Sequence, residues 1–172
     1  EIIFYYAGHG LPDEQTKEAH LVPVDVSGND LQFAIELKDV YRKLSDLPVK
    51  KVTIFIDACF SGGARNQGLL AARGVKIMPK EDNILNGNVV VFTASSGEQS
   101  SLPYKETGHG MFTYHLLKKI QETKGEVTYG ELSDYLQKQV SIKSIQINNK
   151  EQVPQTNISG SLIDRWKDIP LK

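Results

Sequence analysis

The run from Val52 to Gly62, VTIFIDACFSG, constrains this chain more than any other segment. An apolar, β-branched stretch stops abruptly at Asp57-Ala58-Cys59-Phe60-Ser61-Gly62 and carries the only cysteine of the sequence on that edge. A second run, Glu1 to Tyr6, stops in the same way at Ala7-Gly8-His9-Gly10. If these two buried strands lie side by side and parallel, they hold a thiol and an imidazole at their carboxyl ends, where open α/β sheets build their sites. That is the arrangement of a Cys/His nucleophile pair.

The rest of the chain supplies the material for such a sheet. Ile2 to Tyr6, Val52 to Ile56 and Val89 to Thr93 are read as strands, each rich in Val, Ile, Phe, Tyr or Thr. Ile35, Leu37, Val40, Tyr41, Leu44 and Leu47 recur at helical spacing, and Leu47-Pro48 closes that helix. Phe112, Leu116, Leu117 and Ile120 repeat the pattern after the third strand. Thr128 followed by Glu131 is a capping box for a helix carrying Leu132, Tyr135, Leu136 and Val140. A last strand is expected over Asn157 to Leu162, after the Pro154 break. Strands alternating with helices predict an α/β fold with a mostly parallel central sheet covered on both faces.

Composition narrows the function classes. The 172 residues suit one domain with a sizeable core. A net charge of -1, with no basic stripe, gives no electrostatic reason to expect nucleic acid or an anionic membrane as partner. A single cysteine excludes an intrachain disulfide and fits a reducing, cytoplasmic setting. No apolar run approaches the roughly 18 residues of a membrane helix. The chain opens on strand residues without an initiator Met, so an upstream segment is expected, with room for a fused regulatory domain.

The residues around Cys59 and His9 separate a reactive site from an ordinary core. A lone cysteine at a strand end is usually a small buried hydrophobe. Here Ser61, Gly62 and Gly63 follow it, residues that let the backbone turn sharply and present amides to an oxyanion. Gly8 and Gly10 flank His9, leave its ring unscreened and let the Gly10 amide approach a substrate. At an unperturbed thiol pKa of about 8.5, a neighbouring imidazole is needed to activate the sulfur and protonate a leaving amine. His9 suits both roles, with the Gly10 and Cys59 amides as oxyanion donors; no third catalytic side chain stands out.

In this order the motifs resemble the caspase-type cysteine peptidases, especially the metacaspase and orthocaspase-like bacterial branch. Cys59 follows His9 by about 50 positions, the His-to-Cys separation of caspases. VVVFTASSGEQSS, followed by Gly110-Met111-Phe112-Thr113 and a helix, is similar to the family's small-subunit region. The resemblance implies a three-layer caspase-like sandwich lacking its N-terminal strand, in one domain over residues 1–172. Residues 1–62 would be the large-subunit part, 63–88 a linker loop and 89–172 the small-subunit part. It also implies a cysteine endopeptidase acting on proteins or peptides. Caspases proper carry glutamine two residues before the nucleophile and select aspartate, whereas metacaspase-like members carry aspartate there and select basic residues. Asp57 occupies that position, so cleavage after Arg or Lys is expected, a carboxylate matching a guanidinium best. Ser95, with Ser96 and Glu98 after the third strand, is expected to line the cleft. Arg65, Arg73, Lys76 and Lys80 then become candidate self-cleavage sites in a long loop beside the nucleophile.

Departures from the resemblance bear on cofactors. Calcium-dependent metacaspases are similar to one another in carrying an acidic cluster after the histidine and another acid after the cysteine. Asp25 would supply one ligand, but Leu31 to Ile35 offers no paired acids and Asn66 stands where the second acid is expected. A calcium site is therefore disfavoured. One cysteine cannot supply a zinc set either, and no cofactor is expected. Asp13, Glu14 and Glu18 read as a solvated loop, and a second Gly-His-Gly, Gly108 to Gly110, lacks a preceding apolar strand, which makes His109 a loop residue. The rival readings are a catalytically silent scaffold of the same fold and another Cys/His hydrolase, such as an amidase.

Overall fold

Period-two alternation in the apolar runs decides how the sheet is covered. The computed structural model describes residues 1–13, 15, 16, 18–26, 31–60, 85–95 and 99–172. In chain order these form β1 (Ile2–Pro12), β2 (Ala19–Val22), β3 (Ile35–Glu36), helix α1 (Leu37–Ser45), β4 (Val52–Cys59), β5 (Val89–Thr93), β6 (Pro103–Tyr104), β7 (His109–Gly110), helices α2 (Met111–Thr123) and α3 (Tyr129–Asn148), and β8 (Gln155–Ile158). Six strands make one sheet in the order β3-β2-β1-β4-β5-β8. The centre is parallel, β1 with β4 and β4 with β5. Both flanks are antiparallel, so the sheet as a whole is mixed. Strands β6 and β7 form a separate hairpin.

Successive residues of a strand point to opposite faces, and here each face has its own core. Val52, Ile54, Ile56, Ala58, Val89 and Val91 pack with Leu37 and Tyr41 of α1. Phe55, Val90 and Phe92 pack with Phe112 and Leu116 of α2 and with Leu132 and Leu136 of α3. Phe55 stacks on Phe92 with centroids 5.2 Å apart, and Tyr129 meets Phe92 edge-on. The result is the three-layer α/β sandwich that the alternating pattern predicts. The capping box forms as expected: the Glu131 N–H donates to Thr128 Oγ1 at 3.2 Å and the Thr128 N–H to Glu131 Oε2 at 2.9 Å.

Five assignments differ from the sequence reading. Strands β1 and β4 do not stop at Tyr6 and Ile56 but run through their motifs, to Pro12 and Cys59. There β4 pairs with β1 through Cys59, and β1 goes on to pair with β2 from His9 to Pro12, which outweighs the poor strand propensity of glycine. Ile35 belongs to β3, paired with Leu21, and not to the helix. The last strand is Gln155–Ile158, after which the chain turns into a short 3-10 helix, Gly160–Leu162. The Ser159 hydroxyl donating to the Gly87 carbonyl at 2.6 Å anchors that turn and sets Leu162 into the core. His109 lies in a two-residue strand and not in a loop.

Candidate active site

The parallel register of β1 and β4 runs without a slip from Ile2 opposite Val52 to His9 opposite Cys59. Neighbouring strands lie about 4.8 Å apart and register partners share a face, so imidazole and thiol stand side by side at the carboxyl edge. His9 is exposed and Cys59 half-buried. The two residues singled out from sequence are thus brought together by strand pairing alone.

Beneath His9 the backbone is held from the α1 face. The Tyr6 hydroxyl donates to the His9 carbonyl at 2.7 Å and lies 3.0 Å from the Val22 carbonyl, tying β1 to β2. Burial raises the pKa of this phenol, which keeps its proton as donor. The phenol crosses directly over Gly8: a Cβ there would sit 2.7 Å from the Tyr6 oxygen. A Cβ on Gly10 would meet the Phe60 ring at 2.5 Å and the Cys59 carbonyl at 2.7 Å. The glycines around His9 are therefore demanded by packing on the far side of the sheet, a reason additional to access for substrate.

Cys59 is gripped by the backbone of one residue after β5, Ser101, through both its N–H and its carbonyl. The Ser101 N–H donates to Sγ at 2.8 Å and the thiol donates to the Ser101 carbonyl at 3.1 Å. The Ser101 hydroxyl donates to Asp57 Oδ1. Asp57 is 1% exposed, and its Oδ2 accepts from the Thr113 hydroxyl at 2.6 Å and the Thr113 amide at 3.2 Å. Thr113 lies in the first turn of α2, so this carboxylate acts there as a cap supplied by a distant strand. Gly110 makes room for it, since a Cβ there would lie 2.3 Å from Oδ2. The Tyr5 hydroxyl reaches Thr113 Oγ1 at 2.8 Å from the same face of β1.

The other expected residues fall out as follows. Gly10 is buried immediately after His9. Ser95 is fully buried, and its hydroxyl donates to the Gln99 carbonyl at 3.1 Å. Arg65, Arg73, Lys76 and Lys80, with Ser61, Gly62, Asn66, Ser96 and Glu98, lie outside the described residues, as does most of the 63–88 linker. Asp13 forms a turn, the Thr16 and Gln15 amides donating to its Oδ1 and holding its carboxyl below the ordinary carboxylate range. Asp25 sits in the exposed turn after β2. Among the described residues no three His, Cys, Asp or Glu side chains group as a metal site would, and no helix is long and apolar enough to cross a membrane.

Sequence reasoning missed Ser101, Thr113 and Tyr6. Ser101 had a weak signal, a polar Gln99-Ser100-Ser101 run after a strand parallel to that of the cysteine. The other two have none, because a Thr in a first helical turn and a Tyr in a strand are ordinary.

Comparison with known proteins agrees with this geometry. A caspase-domain family model, that of the peptidase C14 family, matches residues 2–162. The chain belongs to the caspase-domain family. The crystal structure of caspase-1 from Spodoptera frugiperda is similar in fold, with a TM-score of 0.60 at 15% identity over 91% of this chain. The chain spans 59% of the length of that structure. No curated protein matches the sequence.

Proposed function

We propose that this chain is a cysteine endopeptidase domain that cleaves protein or peptide substrates after Arg or Lys. The observation that carries this reading is the placement of His9 opposite Cys59 at the carboxyl ends of adjacent parallel strands. The thiol gives its proton to the imidazole, and the thiolate attacks the scissile carbonyl carbon. The amides of Gly10 and Cys59 hold the oxyanion, a contribution on the order of 3 kcal/mol per donor. The imidazolium then protonates the leaving amine, which departs as the thioester forms. Water, deprotonated by the same imidazole, releases the acid and restores the thiol.

Basic specificity rests on Asp57, two residues before the nucleophile. Its Oδ1 is held by a neutral hydroxyl, that of Ser101. A substrate guanidinium or ammonium is a stronger partner for a carboxylate than a hydroxyl is, so it would displace Ser101 there. Ser95 supports the wall from behind by fixing Gln99. The same specificity makes Arg65, Arg73, Lys76 and Lys80 self-processing sites, and the chemistry needs neither calcium nor another cofactor. The single cysteine suits a cytoplasmic enzyme.

The test is hydrolysis of matched fluorogenic peptides ending in Arg, Lys or Asp by the full-length protein and its Cys59→Ala variant, with and without calcium. Cys59-dependent turnover of Arg or Lys peptides, indifferent to calcium, is the expected result. Turnover only after Asp would overturn the role of Asp57, and no turnover in any condition would favour a scaffold. Intact masses of the wild type and Cys59→Ala decide self-processing, since identical fragment patterns exclude it.

A further inference from the structure

Between α3 and β8 lies a fully buried polar side chain, Gln152, with 0% exposure. Its Oε1 accepts from the Leu102 N–H at 2.8 Å, and its Nε2 donates to the Ala94 carbonyl at 2.8 Å. Its own N–H donates to Ser144 Oγ at 3.0 Å. Burying a primary amide is costly unless both ends are satisfied, and here the two ends face partners of opposite kind. A carboxylate would confront the Ala94 carbonyl, and a hydrocarbon would leave both backbone groups unpaired.

Both partners lead to the nucleophile. Ala94 continues β5, and its N–H donates to the Ile56 carbonyl at 2.9 Å, on the strand that ends in Cys59. The Leu102 N–H shares its peptide unit with the Ser101 carbonyl that accepts from the thiol, and the Leu102 carbonyl accepts from the Met111 N–H at 2.8 Å at the start of α2. The amide of Gln152 thus spans the end of β5 and the 101–102 peptide.

We infer that Gln152 is a positioning residue for Cys59, holding the 101–102 peptide whose Ser101 carbonyl accepts from the thiol. This deepens the proposed function, since it takes Cys59 as the nucleophile. An N–H aimed at sulfur stabilises the thiolate, whereas the Ser101 carbonyl favours the neutral thiol. The peptide that Gln152 holds carries the second of these, the Ser101 carbonyl 3.1 Å from the sulfur. Loosening that carbonyl lowers the thiol pKa.

The experiment follows the alkylation rate of Cys59 by iodoacetamide from about pH 5 to 10, read by peptide mass spectrometry on the full-length protein, with melting temperatures in parallel. Gln152→Met, of similar length but without polar atoms, is expected to lower the apparent thiol pKa by about one unit and speed alkylation at neutral pH several-fold. Gln152→Glu, which loses the donor to Ala94, moves it the same way. Ser144→Ala removes only the partner of the Gln152 backbone and lowers the melting temperature with the profile in place. An unchanged profile in both Gln152 variants, or an equal shift in Ser144→Ala, would overturn the inference. If Gln152→Met does not fold, Gln152→Glu against Ser144→Ala decides by the same criterion. Alkylation reads the thiol itself, so a protein that cleaves no peptide refutes the preceding proposal without deciding this one.

Discussion

The tripeptide Gly-His-Gly occurs twice, at residues 8–10 and 108–110, and the two copies do different work. In the first, β1 carries the histidine to the carboxyl edge opposite Cys59, and both glycines yield to side chains beneath, the Tyr6 phenol and the Phe60 ring. In the second, Gly108 turns the chain at φ +72° with open space around it, His109 is exposed, and Gly110 admits the Asp57 carboxylate. The tripeptide therefore has no fixed meaning. A histidine becomes a candidate acid and base through the strand that carries it, and a glycine next to it is constrained by whatever packs on its other side.

The largest separation is expected in turnover. His9→Ala should lower peptide hydrolysis by about a thousandfold or more, whereas His109→Ala should change it by less than about twofold. Comparable losses from both, measured as kcat/KM on one basic peptide, would erase the distinction.

Next in size come the glycines. Gly110→Ala forces a methyl onto Asp57 and should cost about 3 kcal/mol of stability in denaturant unfolding, with Gly10→Ala similar because Phe60 is fully buried. Gly108→Ala meets nothing but a left-handed backbone and should cost about 1 kcal/mol. Equal costs at Gly108 and Gly110 would break the steric account.

A third histidine sharpens the comparison by burial. His115 is 3% exposed among the rings of Tyr104, Tyr114 and Tyr135, and neither ring nitrogen has a hydrogen-bond partner among the described residues. Burial, then the charges of Lys118 on its own helix and Lys143 on α3, push its pKa down to about 4. The unfolded chain therefore binds the proton first, and stability is lost as pH falls from about 6.5 towards 4. His115→Phe should remove about 2 to 3 kcal/mol of that loss, seen as a flatter difference in unfolding free energy between pH 7 and 4. A parallel dependence in wild type and variant would contradict the burial of a neutral ring.

The smallest effect concerns support of the first histidine. Tyr6→Phe removes the hydroxyl that joins the His9 and Val22 carbonyls. It should cost about 1 kcal/mol and lower kcat a few-fold with little change in KM. A change in KM alone would mean that Tyr6 acts on substrate and not on His9.

Much of the frame was legible in the residues because the signals are local. Val89 to Thr93 is a strand as read, since a β-branched run commits its own backbone. The Thr128 and Glu131 box starts α3 as read, since a cap needs only residues three apart. His9 and Cys59 could be paired because each ends an apolar run, and adjacent parallel strands align their ends. Ile35 was misplaced because an apolar residue at helical spacing also fits a two-residue edge strand, and only its partner Leu21 decides. Leu117 fits the helical pattern yet is 48% exposed.

By itself, then, the sequence determined the layered α/β class, the strand ends that carry thiol and imidazole, and the cap of the longest helix, all features set by composition and spacing within a few residues. The tertiary structure alone decided that Asp57 caps α2, that the Ser101 backbone grips Cys59, that Gln152 spans Ala94 and Leu102, and that Gly8, Gly10 and Gly110 have no room for a side chain. Apart from Gly8 under Tyr6, those contacts join residues far apart in the chain through single hydrogen bonds and close approaches. Such partners leave no periodicity in the sequence, and they become definite only when the packed sheet fixes where each backbone lies.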